Sequence, residues 1–407
     1  MRAIINILGI ILVLGIMYLI SKDRKSIKKG IVIKAMIVQF IIAFLLVKFP
    51  LGKLIVSKVS DLVTKVLDYG KDGIGFVFGS LGFANTPTGF IFAFQVLGNI
   101  VFLSSLVGAL YYLGILGFII KIIGKGVGKI LGTTQVESFV AVANMFLGQT
   151  ESPILISKYI GMMTESEIMV ILVSGMGSMS ATIIGGYVAL GIPMEHLLIA
   201  STLVPLGSIA VSKIIYPEIE HAKEISDVRM DNKGDNENLI GAVTEGAMNG
   251  MNSAMAIGAS LIAIIGLVAL VNGALGYIGN LVGMEALSLE KIFSYLFSPL
   301  GFFMGLSGDD ILFAGELLGS KMVLNEFIAF QKLGTVLSTL DPRTGLLLSI
   351  SLAGFANFSS MGICIAGISV LCPEKRGVLS RLAFKAMIGG FAVSVLSAMV
   401  VGVITMF

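Results

Sequence analysis

Runs of apolar residues recur along the chain at lengths near the ~20 that a helix needs to cross a bilayer. Uninterrupted runs occupy 3–20, 31–49, 90–112, 196–215, 256–282 and 383–406. Two more, 166–193 and 344–371, are long enough but interrupted, the first by SGMGSMSATIIGG and the second by AGFANFSSMG. Small and hydroxyl residues in mid-span predict unwound helices, which a membrane tolerates only around a buried site or a cavity. Two further stretches, 137–163 and 297–328, are apolar but carry acids and end-signals. They predict re-entrant hairpins that enter and leave on one side. At 54–72, Ile55, Val59, Leu62, Val63 and Val66 recur at helical spacing among three Lys, which predicts an interfacial amphipathic helix. The pattern as a whole predicts an all-α integral membrane protein with about eight transmembrane helices.

Composition agrees and narrows the function. Of 407 residues, 56% are hydrophobic and 13% charged, and the mean hydropathy is +0.97. Soluble domains carry about 25% charged residues. The net charge of +3 gives no argument for nucleic acid. Cys364 and Cys372 have neither a disulfide framework nor metal-ligand spacing around them. His196 and His221 are the only histidines, which excludes a multi-histidine metal site. The first apolar run lacks an A-x-A-like cleavage site and reads as a retained span.

Basic residues set the expected orientation. SKDRKSIKKG at 21–30 has five of them and should be cytoplasmic, which puts the N-terminus outside. The same assignment puts KIIGKGVGK (121–129), the polar stretch 216–238 and CPEKRGVLSRLAFK (372–385) inside, provided that the two hairpins do not cross. Hairpin, broken span and full span then occur at 137–215 and again at 297–406, inverted. Inverted repeats with facing broken helices mark a transporter, with substrate and ion near the midplane.

Four constellations carry candidate chemistry. In NMFLGQTESP, Gly148 and Pro153 break a helix around Gln149, Thr150 and Glu151. A charged Glu at membrane depth costs several kcal/mol and persists where it pairs, meets water or meets a ligand. Gln and Thr offer donors and acceptors suited to a polar heterocycle; the competing reading is a hairpin tip at the water interface. In GSKMVLNEFIAF, Asn325 and Glu326 lie between apolar runs, and Glu326 suits two hydroxyl donors such as a ribose diol. The competing reading is a Glu326–Lys321 pair, although five residues is poor spacing for one helical face. In FANFSS, Asn357 and Ser360 share a face and Phe355 suits packing on a flat base, against a reading of small-residue helix packing. In SGMGSMSATIIGG, freed carbonyls beside Ser178, Ser180 and Thr182 suit a monovalent cation, against a Gly/Ser packing groove.

GLSGDD at 305–310 contains the G-x-S-G of intramembrane serine proteases. That chemistry needs a base within reach of Ser307. His221 falls in the polar loop on the opposite side and His196 at a span edge in the other repeat, so Asp309 and Asp310 read as the mouth of the second hairpin. No G-x-x-x-x-G-K-[ST] phosphate loop occurs, which speaks against ATP-driven transport by this chain alone.

Together, LVGALYYLGI (106–115), VANMFLGQTESP (142–153), GSKMVLNEFIAF (319–330) and GFANFSSMGI (354–363) resemble the concentrative nucleoside transporter family, in its bacterial, NupC-like short form. The resemblance runs from about residue 90 to the end. It implies a cation-coupled symporter importing nucleosides across the plasma membrane, not an enzyme, with no cofactor. The carry-over places Gln149, Thr150 and Glu151 at the base, Glu151 through water, and Ile183 as an apolar residue against it. Glu326, Asn357 and Ser360 fall at the ribose, and Phe355 is a pocket aromatic. It implies a sodium ion between the first hairpin tip and the broken helix, at Asn144, Leu147, Ser178 and Met179, several through backbone carbonyls. A homotrimer with elevator-like motion is also implied. The expected division is 1–112 as scaffold and oligomerisation helices, 113–215 as transport repeat 1, 216–296 as cytoplasmic loop, interfacial helix and scaffold helix, and 297–407 as transport repeat 2. GSMSATIIGG departs from the family's usual run, since Ser180 and Thr182 replace smaller or shorter residues. This leaves a proton, titrating Glu151 or Glu326, as the alternative coupling ion. Both termini are expected outside.

Overall fold

The computed structural model describes residues 2–220, 222, 236–281, 283–284 and 287–406. His221 and 223–235, inside the expected polar loop, lie outside the described residues. The described residues form helices and no strands.

The first two spans are α1 (Arg2–Leu19) and α2 (Lys29–Val47), joined by the basic loop. Pro50 then opens α3 (Pro50–Phe78), where a missing N–H costs nothing. This helix extends the expected amphipathic segment at both ends. A single turn, α4 (Phe92–Gln95), precedes the third span, α5 (Leu97–Tyr112). After α6 (Ile115–Leu131), the first hairpin descends as α7 (Gln135–Ala143). It unwinds at 144–151 and returns through α8 (Ser152–Leu155) and α9 (Ser157–Ile160). The broken span is α10 (Glu165–Gly177) and α11 (Ala181–Ala189), followed by α12 (Met194–Ile215).

The second half begins with α13 (Leu239–Leu281), 43 residues long. The span expected at 256–282 is only its second part. Its first part carries Thr244, Glu245, Asn249 and Asn252, which lower its hydropathy. A ladder of small residues, Ala242, Gly246, Gly250 and Ala254, is buried there. A Cβ on Gly246 would sit 2.5 Å from the Ser104 carbonyl oxygen of α5. The two backbones therefore pack as closely as small-xxx-small helices do in membranes.

The second hairpin differs from its expected bounds of 297–328. Residues 297–303 end a separate helix, α14 (Leu289–Phe303), which packs along the hairpin. The legs are α15 (Asp309–Val323) and α16 (Glu326–Val336), with the tip at Leu324–Asn325. Gly315 and Gly319 let α15 lie against α14, since a Cβ on either would meet α14 atoms within 2.5 Å. The second broken span is α17 (Pro342–Leu352) and α18 (Phe358–Leu371), and the last span is α19 (Arg376–Ile404). Among the described residues seven segments are long and apolar enough to cross a membrane, and α18 by itself is too short. With α17 it makes the eighth.

The basic loops converge at one end of the bundle. Lys22 N–H donates to the Ile215 carbonyl at 2.9 Å and Lys385 Nζ to that of Ile20 at 2.8 Å. Lys375 reaches the Met163 carbonyl, and Arg381 pairs with Glu165. Burial pushes the Tyr216 hydroxyl up to about 12, and its hydrogen bond to Glu165 adds to the shift. At this end Lys213, buried in the last turn of α12, pairs with Glu137 and donates to Ser166 Oγ at 2.9 Å, with Glu218 at 3.6 Å. Glu137 and Glu167 close capping boxes on Thr134 and Thr164, and the Thr134 hydroxyl donates across to Glu167 at 2.8 Å. The foot of the first hairpin is thereby fastened to α10 and α12.

The second hairpin hangs from the opposite end. There the Arg343 guanidinium donates to Thr405 Oγ1, the Gly305 and Gly402 carbonyls and Asn6 Oδ1, all within 3.2 Å. Thr344 donates to Asp310 at 3.1 Å. The two hairpins enter from opposite ends, and α1 and α19 bring the two chain ends together.

Removing one partner of a buried ion pair strands the other, at a cost of about 3–5 kcal/mol. Lys213→Met is therefore expected to lower the thermal unfolding temperature of the purified protein clearly, and a Glu137→Leu change added to it should restore part of the loss. A single variant as stable as the wild type would show that the pair does not hold the hairpin foot.

Candidate functional site

Membrane-buried backbone needs partners, and the two helix breaks supply them to each other. Ser178 to Ser180 are unwound between α10 and α11, and 353–357 between α17 and α18. Phe355 N–H donates to the Ser178 carbonyl at 3.0 Å. Gly354, at φ +141°, lies so close that a Cβ on it would sit 2.8 Å from the Gly177 carbonyl oxygen. Gly390 of α19 fits beneath, where a Cβ would be 2.9 Å from the Gly177 nitrogen.

The first hairpin tip rests on this joint. Ala181 N–H donates to the Phe146 carbonyl at 3.0 Å. Asn144 is fully buried; its amide donates to Ser174 Oγ at 3.0 Å, and its Oδ1 accepts from Ser152 at 2.8 Å. Ser178 Oγ donates to the Gly175 carbonyl at 3.1 Å. Asn144 and Leu147 thus belong to the hairpin tip, and Ser178 and Met179 to the break on which that tip rests. The oxygens here are neutral amide, hydroxyl and carbonyl groups, a donor set that fits a small monovalent cation. No cluster of three or more His, Cys, Asp or Glu occurs among the described residues. Ser180 and Thr182 are otherwise employed: their hydroxyls bond each other at 2.6 Å, and Ser180 caps α11.

Glu151 folds back on its own tip, Oε2 accepting from Gly148 N–H at 3.0 Å. Gln149 is buried and accepts from the Cys364 thiol at 3.2 Å, while Thr150 is half-buried. A Cβ on Gly367 would lie 3.0 Å from the Thr150 methyl. The tip thus lies against α18.

The second tip meets the start of the same helix. Asn325 caps α16 through Ile328 N–H, which puts Glu326 in the first helical turn, where a carboxylate is favoured. Asn357 caps α18 through Ser360 N–H at 2.8 Å, and its amide donates to Glu326 Oε2 at 3.0 Å. Tyr187 of α11 donates to Oε1 at 3.2 Å. Asn357, Ser360 and Cys364 share one face of α18. Seven residues along a helix span about 10 Å, so α18 joins the Glu326 cluster at its start to the Gln149 cluster two turns on. Phe355 is buried at the joint, and Ile183 is half-buried on α11, one turn before Tyr187.

Two competing readings find no support in this geometry. Lys321 does not hydrogen-bond Glu326; it is fully buried, donating to the Ser351 carbonyl at 2.9 Å and to Ser394 Oγ at 2.6 Å. Ser307 accepts from Arg2, and His196 pairs with Ser349 at 3.0 Å. His196 is thus not the base that a protease would need at Ser307.

Some site residues escape a reading of the sequence. Tyr187 lies one turn after Ile183 on the same face, a spacing that flags it. Cys364 continues the Asn357–Ser360 face. Ser152 and Ser174 meet Asn144 only because the chain unwinds, and no spacing rule finds them.

Two hairpins that enter from opposite ends and bring their polar tips to one face of a broken helix define a membrane transporter. Similarity to known proteins makes the class specific. The chain matches "Na+ dependent nucleoside transporter C-terminus" over 196–402, "Na+ dependent nucleoside transporter N-terminus" over 8–81 and "Gate: Nucleoside recognition" over 93–194. It is 37% identical to an uncharacterized transporter of Haemophilus influenzae, covering 99% of this chain and 98% of that one. With the nucleoside permease NupC of Helicobacter pylori the identity is 34%, covering 98% and 97%. The solved structure of CNTnw in an inward-facing substrate-bound state superposes with a TM-score of 0.95 at 34% identity, covering 100% of this chain and 99% of that one. The chain belongs to the concentrative nucleoside transporter family, as a bacterial NupC-like member. It is a multi-pass membrane transporter and not an enzyme.

The joint makes a sharp contrast between two glycines. Gly354→Ala forces a side chain into a strained φ and against Gly177, so a loss of about 1–3 kcal/mol is expected. Gly148→Ala meets nothing closer than Ser180 Cβ at 3.5 Å and should be tolerated. Thermal unfolding of both variants checks this; equal stabilities would mean that the breaks do not need their close approach.

Proposed function

We propose that this chain imports nucleosides by cation-coupled secondary active symport, with sodium as the coupling ion. The observation that carries the reading is α18, along one face of which the polar groups of both hairpin tips are arrayed. One end offers amide and hydroxyl groups, Gln149 and Thr150, with Glu151 near by. The other offers an acceptor-rich carboxylate, Glu326, flanked by Asn357 and Ser360. A nucleoside has the same polarity: a heterocycle of mixed donors and acceptors at one end, a diol of donors at the other. In this reading Gln149, Thr150 and, through water, Glu151 meet the base, with Ile183 and Phe355 as apolar walls. Glu326, Asn357 and Ser360 take the ribose.

Sodium is read at Asn144, Leu147, Ser178 and Met179. An ion there ties the first hairpin tip to the break, which also carries the Phe355 contact, so ion and substrate stabilise the same closed arrangement. The knots at the two hairpin feet favour movement of the repeats as a unit, in an elevator-like manner. The exposed apolar face of α13 suits a homotrimer. The convergence of the basic loops at one end supports a cytoplasmic position for them, with both termini outside the plasma membrane.

Uptake of radiolabelled uridine and adenosine into proteoliposomes tests the function. Accumulation above equilibrium under an imposed sodium gradient is expected. No gradient-driven uptake of either nucleoside would sink the proposal, simple equilibration would make the protein a passive channel, and uptake driven only by a proton gradient would move coupling to Glu151 or Glu326. Glu326→Gln should abolish ribose-dependent uptake, and near-wild-type transport would reject its role. Asn144→Ala should raise the sodium concentration for half-maximal uptake; an unchanged value would remove Asn144 from the ion site.

A further inference from the structure

Glu326 has a partner that neither hairpin supplies. Tyr187, on α11 of the first repeat, is fully buried, and its hydroxyl donates to Glu326 Oε1 at 3.2 Å. The ring packs against Phe327 and Phe330, at centroid distances of 4.9 and 4.5 Å. Those two residues lie in the turn of α16 that Glu326 begins, so the hydroxyl and the carboxylate are held in one packed unit. A phenylalanine would fill the same space without the oxygen.

A carboxylate has about four acceptor sites, two on each oxygen. Tyr187 takes one on Oε1 and Asn357 takes one on Oε2. The residue's own backbone N–H also bonds to the carboxylate, and the acceptor capacity that remains faces ligand hydroxyls. Two neighbouring hydroxyl donors are the ligand chemistry that fits this pair of oxygens, because each oxygen then receives one. Without Tyr187 the carboxylate loses the side-chain bond on Oε1, and the direction of that oxygen is less firmly fixed.

We propose that Tyr187 is a positioning residue that orients the Glu326 carboxylate for a vicinal diol, and so sets the preference for ribose over deoxyribose nucleosides. The proposal rests on the assignment of Glu326 to the sugar. Tyr187 does not touch the substrate in it; it acts through Glu326. Because Tyr187 belongs to one repeat and Glu326 to the other, the same bond makes the sugar end of the site sensitive to how the two repeats are seated.

Uptake of uridine, 2′-deoxyuridine and 3′-deoxyuridine by wild type and Tyr187→Phe in proteoliposomes tests this. Tyr187→Phe should raise the KM for uridine about tenfold, the effect of one lost charge-assisted hydrogen bond. The KM of either deoxynucleoside should move by less than about threefold, since each uses only one of the two acceptors. Maximal rates should stay close to wild type, because the ring packing survives. An equal change for all three substrates, a fall in maximal rate alone, or no change would each assign Tyr187 to packing and overturn the proposal. A Tyr187→Leu variant provides the packing control: it removes ring and hydroxyl together and should reduce thermal stability, whereas Tyr187→Phe should not. If the wild type takes up no uridine, the transport reading falls and this one with it. If it takes up uridine and both deoxynucleosides with equal KM, the transport reading stands, and the diol assignment and this proposal are overturned.

Discussion

An unwound peptide in a membrane has to find hydrogen-bond partners within the protein, and here the two unwound segments find them in each other. The Phe355 N–H and the Ser178 carbonyl join the repeats by backbone alone. Gly354 and Gly390 permit that close approach, since a Cβ on either would sit within 3 Å of Gly177 backbone. Much else depends on it. The first hairpin tip is seated on the joint through Phe146, and the free ends of α11 and α18 project from it carrying Tyr187, Asn357 and Ser360. Lose the close approach, and the peptides on both sides would face hydrocarbon unpaired, at several kcal/mol each.

Charge is distributed in a way that matches this arrangement. Full ion pairs and guanidinium bonds are gathered at the feet of the hairpins, around Lys213 and Arg343. The tips carry amides, hydroxyls and single carboxylates held by neutral donors. Buried ion pairs tolerate little displacement, because separation strands a charge. Neutral hydrogen bonds exchange partners at about 1 kcal/mol. Rigid feet and exchangeable tips suit a transporter whose site has to take up and release what it carries.

Much of this is legible in the sequence, and the gaps have physical causes. The broken spans announce themselves because Gly, Ser and Asn in mid-membrane have few other uses, and both breaks lie within the expected motifs. The first half of α13 is hidden because Glu245, Asn249 and Asn252 outweigh its neighbours in hydropathy, while the feature that explains it, Ala242 to Ala254 at four-residue spacing, is a packing pattern. The second hairpin is expected too early because α14 is apolar enough to imitate its first leg. Its real tip has a weaker signal, a single capping asparagine, Asn325. At the site, the acids and amides stand out by their cost. Tyr187 and Cys364 do not, since a lone tyrosine or thiol in an apolar run costs little.

The face of α18 that carries Asn357, Ser360 and Cys364 gives the protein a phase as well as a composition. Each helical residue advances the direction of a side chain by about 100°. One residue gained or lost between Asn357 and Cys364 would leave every motif spelled almost as before, yet turn the Gln149 contact a quarter-circle or more away from the Glu326 contact. In this stretch the count of residues is itself part of the site.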